Sequence, residues 1–370
     1  MGPTKVIINH DYLRHNYHLI KSLVHPAKVL CVMKANAYGH GAIEVSKTLV
    51  KEGAEFLGVA YLDEGIELRK AGIDIPILLF GIHLSETYKK VVEFNIDITL
   101  TDIWQIEPLK SVCKQLNKKA RIHIKFDTGM NRVGFRKDQL ELAVEKIFSE
   151  PLFEVIGVYS HFSSSDEDDL SYTKKQLDQF ETVKSYIKDK YARKILYHIA
   201  NSGGIMRLKD SHQDMVRPGA MLYGYPSDTN FKLTYDIKEV MSFESKIALI
   251  KCIDAGEPVS YGRRFYTTAE TQIAIIPVGY ADGYDRRFTN TGKVLIKGKR
   301  YPIIGAVCMD QIIVNLGHET TLQVGDDVTL LGKQGDDYIS NVDLCRQLGT
   351  IPYEITCGIS RRVQRVHINT

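Results

Sequence analysis

The feature that most restricts how this chain can fold is an alternation. Between residues 28 and 217, short apolar runs recur, separated by longer amphipathic stretches. Eight runs stand in order: KVLCVM (28–33), FLGVA (56–60), PILLF (76–80), DITLT (97–101), RIHIKF (121–126), FEVIGVYSH (153–161), ILYHIA (195–200) and DMVRP (214–218). Runs of this length and composition read as strands. Between the sixth and seventh, DLSYTKKQLDQFETVKSYIKDKY (169–191) carries Leu177, Phe180, Val183 and Ile187 at helical spacing. Strands separated by helices pair in parallel, and eight such units close most simply into a (β/α)8 barrel; a doubly wound open sheet is the alternative.

After Gly224 the pattern changes. Residues 241–334 hold SKIALIKCI, TQIAIIPVGY, KVLIKGKRYPIIGAV and DVTLLG, separated by Gly, Pro and Asp turns, with almost no helical period. The expected fold is therefore α/β, an N-terminal (β/α)8 barrel followed by a mainly antiparallel β domain. A boundary within 226–240 gives a barrel of residues 1–236 and a β-rich domain of 237–370. A length of 370 residues accommodates two domains, each with its own core.

Charge and cysteine usage exclude several classes. The net charge is +3, with Lys and Arg interleaved with Asp and Glu, so no basic stripe suits a nucleic acid. The six cysteines form no C-x-x-C pair and no disulfide-like spacing, which favours a reduced compartment and implies no metal. No window approaches a membrane span, and MGPTKVIINHDYLRHN has no apolar leader core, so a cytoplasmic protein without a membrane partner is expected.

Lys34 falls at the C-terminal end of the first barrel strand, the end where barrels gather their catalytic groups. A lysine snorkelling from a strand edge is the plainer reading. Other strands, however, end in polar groups too. The fifth gives Lys125, then Asp127 and Arg132; the sixth gives His161; the seventh gives His198, Asn201 and Ser202; the eighth gives Arg217, then Pro218 and Gly219. An amine among cations has a depressed pKa and can form a Schiff base. Ser202, with the amides near Gly219 and Ala220, lies where this fold usually cradles phosphate. Lysine, phosphate cradle and arginine together suggest pyridoxal 5'-phosphate.

The segments VMKANAYGHG, KFDTGMNRVG, GVYSHF, HIANSGG, VRPGAMLYG, VSYGRRF, GYADGYDRR, GAVCMDQ and PYEITCGIS appear in one order and register. This ordered set resembles that of the alanine racemases, pyridoxal-phosphate enzymes of fold type III, from about residue 6 to the C-terminus. The resemblance implies interconversion of L- and D-alanine by two bases, supplying D-alanine for peptidoglycan, with a serine or broader racemase as the alternative. It implies that Lys34 carries the cofactor and that Tyr38, Ser202, Tyr353 and the amides of Gly219 and Ala220 bind its phosphate. Arg217 would face the pyridine nitrogen, with His161 and Asn201 beside the cofactor. Arg132 and the backbone of Met309 would hold the substrate carboxylate, and Lys125 is a position that relatives often carbamylate. Tyr261 would be the second base, in the site of the other subunit of a homodimer.

A racemase needs acid/base groups on both faces of a planar intermediate. Tyrosine titrates near pH ~10, so Tyr261 needs cationic help, which His161 bonded to Arg217 is expected to give. A non-catalytic cofactor carrier would lack the second domain, and a decarboxylase of this cofactor fold would place an acid where Arg217 stands. Other matches have plainer readings: GYADGYDRR as a turn, Cys308 and Met309 as core, His40 and His198 as supporting hydrogen-bonders, and Asp166 and Arg286 as surface charge. Asn131 and Ala306 depart from the family, which more often has Gly and a basic residue there.

Overall fold

In the computed structural model, which describes residues 2–231 and 234–370, the eight apolar runs are eight parallel strands. The chain opens with a separate strand, β1 (Lys5–Asn9). The barrel consists of β2 (Lys28–Val32), β3 (Phe56–Val59), β4 (Ile77–Leu79), β5 (Asp97–Leu100), β6 (Ala120–Lys125), β7 (Phe153–Tyr159), β8 (Leu196–His198) and β9 (Met215–Val216). Neighbours follow chain order from β2 to β8, and β9 lies on the other side of β2. Between β8 and β9 the ring closes through two backbone bonds, Asp214 N–H to the Tyr197 carbonyl at 3.0 Å and Arg217 N–H to the Ala200 carbonyl at 2.9 Å. The barrel, not the open sheet, is the fold.

Alternation along each strand divides the side chains between two cores. Leu30, Val32, Phe56, Leu78, Tyr159 and Met215 cluster together inside the ring, while Val29, Cys31, Leu57, Val59, Ile77 and Leu79 join the larger core under the helices. The amphipathic segment after β7 is a helix, Ser171–Lys190, which buries Leu177, Phe180, Val183 and Ile187. Each such side chain contributes about 1.5–3 kcal/mol by leaving water.

The second region is mainly antiparallel. Its larger sheet contains Met241–Lys246, Lys293–Ile296, Lys299–Pro302, Asp327–Gln334 and Asp337–Ile339, and a three-stranded sheet contains Leu249–Ile253, Thr271–Ile276 and Ile312–Gly317. One placement differs from the division at residue 236. Strand β1 pairs antiparallel with Met241–Lys246 and parallel with Gln364–Ile368, inside the second sheet. In KVIIN, Val6 and Ile8 are buried and their neighbours only partly so, a pattern that suits a sheet covered on one face rather than a barrel strand covered on both. A helix of the same region, Pro352–Gly358, packs on the loop after β2: Gly39, at φ +86°, leaves no room for a side chain against the Thr356 carbonyl. No helix among the described residues is long and apolar enough to cross a membrane.

Candidate active site

The loop after β2 is an unusual turn. Ala35, Asn36, Ala37 and Tyr38 have φ of 53°, 54°, 54° and 53°, a left-handed helical turn without glycine until Gly39. Left-handed helix costs L-residues about 1–2 kcal/mol each, so outside contacts must hold it. The Ala35 N–H donates to Glu64 Oε1 at 2.6 Å, the Asn36 side chain accepts from the Ala42 N–H at 2.8 Å, and the Gly39 N–H donates to the Ala35 carbonyl at 2.9 Å. One turn of helix aligns positions i and i+4, and Lys34 Nζ accordingly stands 5.8 Å from the Tyr38 ring centre.

Around this amine the barrel rim collects cations. Arg217 is buried and donates to the Ser160 carbonyl at 2.7 Å, the Ile199 carbonyl at 3.0 Å, His161 Nδ1 at 3.1 Å and His198 Nδ1 at 2.8 Å. Burial lowers its pKa to about 10, which leaves it protonated at neutral pH. Lys125, also buried, is brought down to about 8 by burial and by the charges of Arg132 and Arg217. Burial and Arg132 lower Lys34 as well. Arg132 is presented by a loop folded around Asp127, whose carboxylate accepts the N–H groups of Gly129, Asn131 and Arg132 at 2.9, 3.0 and 2.9 Å. Burial opposes that ionisation, but these bonds outweigh it and hold Asp127 below the usual carboxylate range. Asn131 sits at φ 56°, a left-handed position that Asn adopts more readily than most residues.

After β8 and β9 the chain brings Ser202, Gly219 and Ala220 together. The Ser202 hydroxyl oxygen accepts the N–H groups of Gly219 and Met221, both at 3.1 Å, leaving its hydrogen to donate outward. A side chain at Gly219 would stand 2.6 Å from the Tyr38 hydroxyl, so the backbone approaches that phenol only as glycine. Ala220 is the first residue of the following 3-10 turn, so its N–H has no partner within that turn. Tyr353 meets the Tyr38 ring edge-on at 5.9 Å, although its hydroxyl lies 3.4 Å from the Ser227 carbonyl. The Asn201 side chain caps the helix Ser202–Arg207, accepting from the Gly204 N–H at 3.0 Å and Ser165 Oγ at 2.7 Å. That is a supporting position for Asn201.

One electrostatic expectation is corrected. His161 accepts a hydrogen bond from Arg217, and burial and that guanidinium hold it well below its ordinary pKa. It is a neutral ring and supplies no positive charge; Arg217, Arg132 and Lys125 supply the local field. Two residues the sequence reading left out also line the barrel interior, Asp97 and His123, both fully buried.

Tyr261 and Met309 lie elsewhere on the same chain. Ser260, at φ 63°, donates to the Ala306 carbonyl at 2.8 Å, and the N–H groups of Tyr280 and Ala281 reach the carbonyls of Cys308 and Met309, both at 3.0 Å. These bonds knit VSYG, GYAD and GAVCMD into one surface with Arg286. From it Tyr261 projects 75% exposed and Met309 52% exposed. Asp166 lies apart from that surface, its carbonyl accepting from Arg207 at 3.2 Å.

The profile of the alanine racemase N-terminal domain matches residues 8–227 and that of the C-terminal domain residues 240–367. An alanine racemase of Carboxydothermus hydrogenoformans is 42% identical over 369 residues, covering 100% of both chains. The solved alanine racemase of Clostridium difficile 630 superposes with a TM-score of 0.94 at 38% identity, covering 100% of this chain and 96% of that one. That of Bartonella henselae, with covalently bound pyridoxal phosphate, superposes at 0.89 and 30% identity over 100% of each. The chain belongs to the alanine racemase family and is an enzyme that interconverts L- and D-alanine.

Proposed function

We propose that this enzyme works with pyridoxal 5'-phosphate carried on Lys34 and with an active site shared between two subunits. The observation that supports the cofactor most directly is the charge at the rim. Lys34, Lys125, Arg132 and Arg217 converge there against two carboxylates, Asp127 and Glu64, and such a site calls for an anionic occupant. The residues present fit this group: the Gly219 backbone against Tyr38, the outward Ser202 hydroxyl and the Ala220 amide would hold its phosphate. When bound, pyridoxal phosphate supplies an electron sink that acidifies the Cα–H of an attached amino acid.

The chain's own residues do the rest. Arg217 offers donors only and no acid, so it binds a ring nitrogen without protonating it. Arg132 pairs with the substrate carboxylate. The Lys34 amine, with its pKa lowered by burial and Arg132, is poised to take and return a proton on one face. Tyr261 of the partner subunit serves the opposite face, with Met309 of the partner subunit beside the carboxylate; the exposure of both residues on their own chain supports this. The boundary within 226–240 then separates the cofactor-binding barrel from the region that reaches the partner. All six cysteines are free, which supports a reducing, cytoplasmic setting.

The test is chirality-resolved turnover of L-alanine together with the absorbance of the bound cofactor. Lys34→Ala should abolish both racemisation and the visible band of the purified protein. Full turnover with an unchanged spectrum would overturn the assignment of Lys34.

A further inference from the structure

Inside the barrel a line of polar groups runs away from Arg217. His198 Nδ1 lies 2.8 Å from Arg217 Nη1, and its Nε2 lies 3.0 Å from His123 Nδ1. Beyond that ring, His123 Nε2 faces Asp97 Oδ2 at 3.5 Å and has no hydrogen-bond partner among the described residues. Asp97 is gripped by Arg121, Nε to Oδ1 at 2.6 Å and Nη2 to Oδ2 at 3.2 Å. Asp97, His123 and His198 are all fully buried.

Donor counting leaves one proton arrangement. A guanidinium has donors only, so His198 Nδ1 accepts. The hydrogen of neutral His198 is then on Nε2, where His123 Nδ1 must accept it. The hydrogen of His123 is in turn on Nε2, directed at a carboxylate. Reversing either ring sets two donors or two lone pairs face to face in a buried site, at a cost of about 1–3 kcal/mol per unmet group. The surroundings are fitted to these rings. Tyr159 stacks on His198, with ring centres 4.8 Å apart and planes 6° apart, and also lies 5.1 Å from the Arg217 guanidinium. A side chain at Gly157 would stand 2.5 Å from His123 Nδ1, so glycine leaves space for that ring.

We propose that Asp97 and His123 are positioning residues, which act through His198 to fix the orientation of the Arg217 guanidinium toward the cofactor ring. The inference rests on the placement of Arg217 at that ring, but the arrangement of protons along the line exists without it. The carboxylate biases the His123 tautomer, His123 sets that of His198, and His198 then presents a lone pair that completes the guanidinium's set of acceptors with Ser160, Ile199 and His161. Arg121 anchors the distant end at the opposite end of the barrel strands.

Nitrogen NMR of the purified full-length protein, isotope-labelled in histidine and assigned by substitution of each ring, tests this directly. Both His198 and His123 should carry the proton on Nε2, and His198 should keep it from about pH 6 to 9. A proton on Nδ1 of His198, or an even mixture of tautomers, overturns the proposal, whatever the fate of the Lys34 assignment. Asp97→Asn keeps the size and removes the charge. It should mix the His123 tautomers and lower kcat about tenfold, with KM for alanine within about twofold. It should also displace a limb of the pH–rate profile, which a merely structural lesion would leave in place. Unmixed tautomers and unchanged kcat in a folded Asp97→Asn protein would also refute the relay. If that variant does not fold, the wild-type tautomers still decide.

Discussion

Lys125 is the residue whose chemistry depends most on its surroundings. With burial, Arg132 and Arg217 holding its pKa near 8, the sign of its pH dependence follows. Below that value the amine is protonated and cannot add carbon dioxide; above it the neutral nucleophile predominates, far below the ordinary lysine range near ~10.4. We expect carbamate formation from isotope-labelled bicarbonate, read by carbon NMR, to rise as pH passes through about 8 and to vanish in Lys125→Gln. A signal that is flat across this range, or retained in the variant, would show that Lys125 is not the acceptor. A carbamate there would place an anion beside Arg132. Positions at the rim were readable where a residue ends or follows a strand, as Lys34, Lys125 and Arg217 do. Asp97 and His123 escaped notice because one opens a strand and the other stands inside one, where DITL and RIHIK look like ordinary sheet. The signal was present all the same: period two puts Arg121, His123 and Lys125 on one face and Ile122 and Ile124 on the other.

Among the elements, the turn after β2 departs furthest from what local preference favours. Alanine is the best right-handed helix former, yet in KANAY it adopts the left-handed form. Ala35→Gly should therefore leave the thermal midpoint unchanged or raise it, since relief of about 1–2 kcal/mol outweighs the roughly 0.5–1 kcal/mol entropy cost of glycine. Asn36→Ala should lower it, because the bond from the Ala42 N–H is lost at a position alanine tolerates poorly. Calorimetry of both variants decides, and a drop of about 1 kcal/mol for Ala35→Gly would mean that the turn is not left-handed. Nothing in KANAY announces its handedness, because the contacts that hold it include Glu64 and the helix Pro352–Gly358, both outside the motif and remote in sequence. The barrel strands were legible for the opposite reason: they are short apolar runs set apart by turns and mostly buried on both faces, so pattern alone identified them. Strand β1 was not read from the sequence, and its membership of the second sheet could not be, since its partners lie more than two hundred residues away.

For the whole molecule, the separation of Lys34 from the exposed Tyr261 makes assembly testable. Lys34→Ala and Tyr261→Phe chains, each nearly inactive alone, should complement when subunits exchange. A mixed dimer holds one site with both lesions and one with neither, so random pairing restores about one quarter of sites. No recovery after verified exchange would place both residues in one subunit and refute the shared site while leaving the racemase intact. The pairing of β1 with Gln364–Ile368 has a consequence for biosynthesis. The barrel's βα contacts are local and can form as the nascent chain emerges, but β1 must wait for partners at the far end of the sequence. Its first partner arrives with Met241–Lys246; its second must clear the ribosomal exit tunnel much later. Until then the apolar β1, rather than the more exposed Gln364–Ile368, is the open edge of that sheet beside a finished barrel, a surface on which incomplete chains pair with one another. A message truncated shortly before codon 364 should thus yield aggregates that contain a well-made barrel.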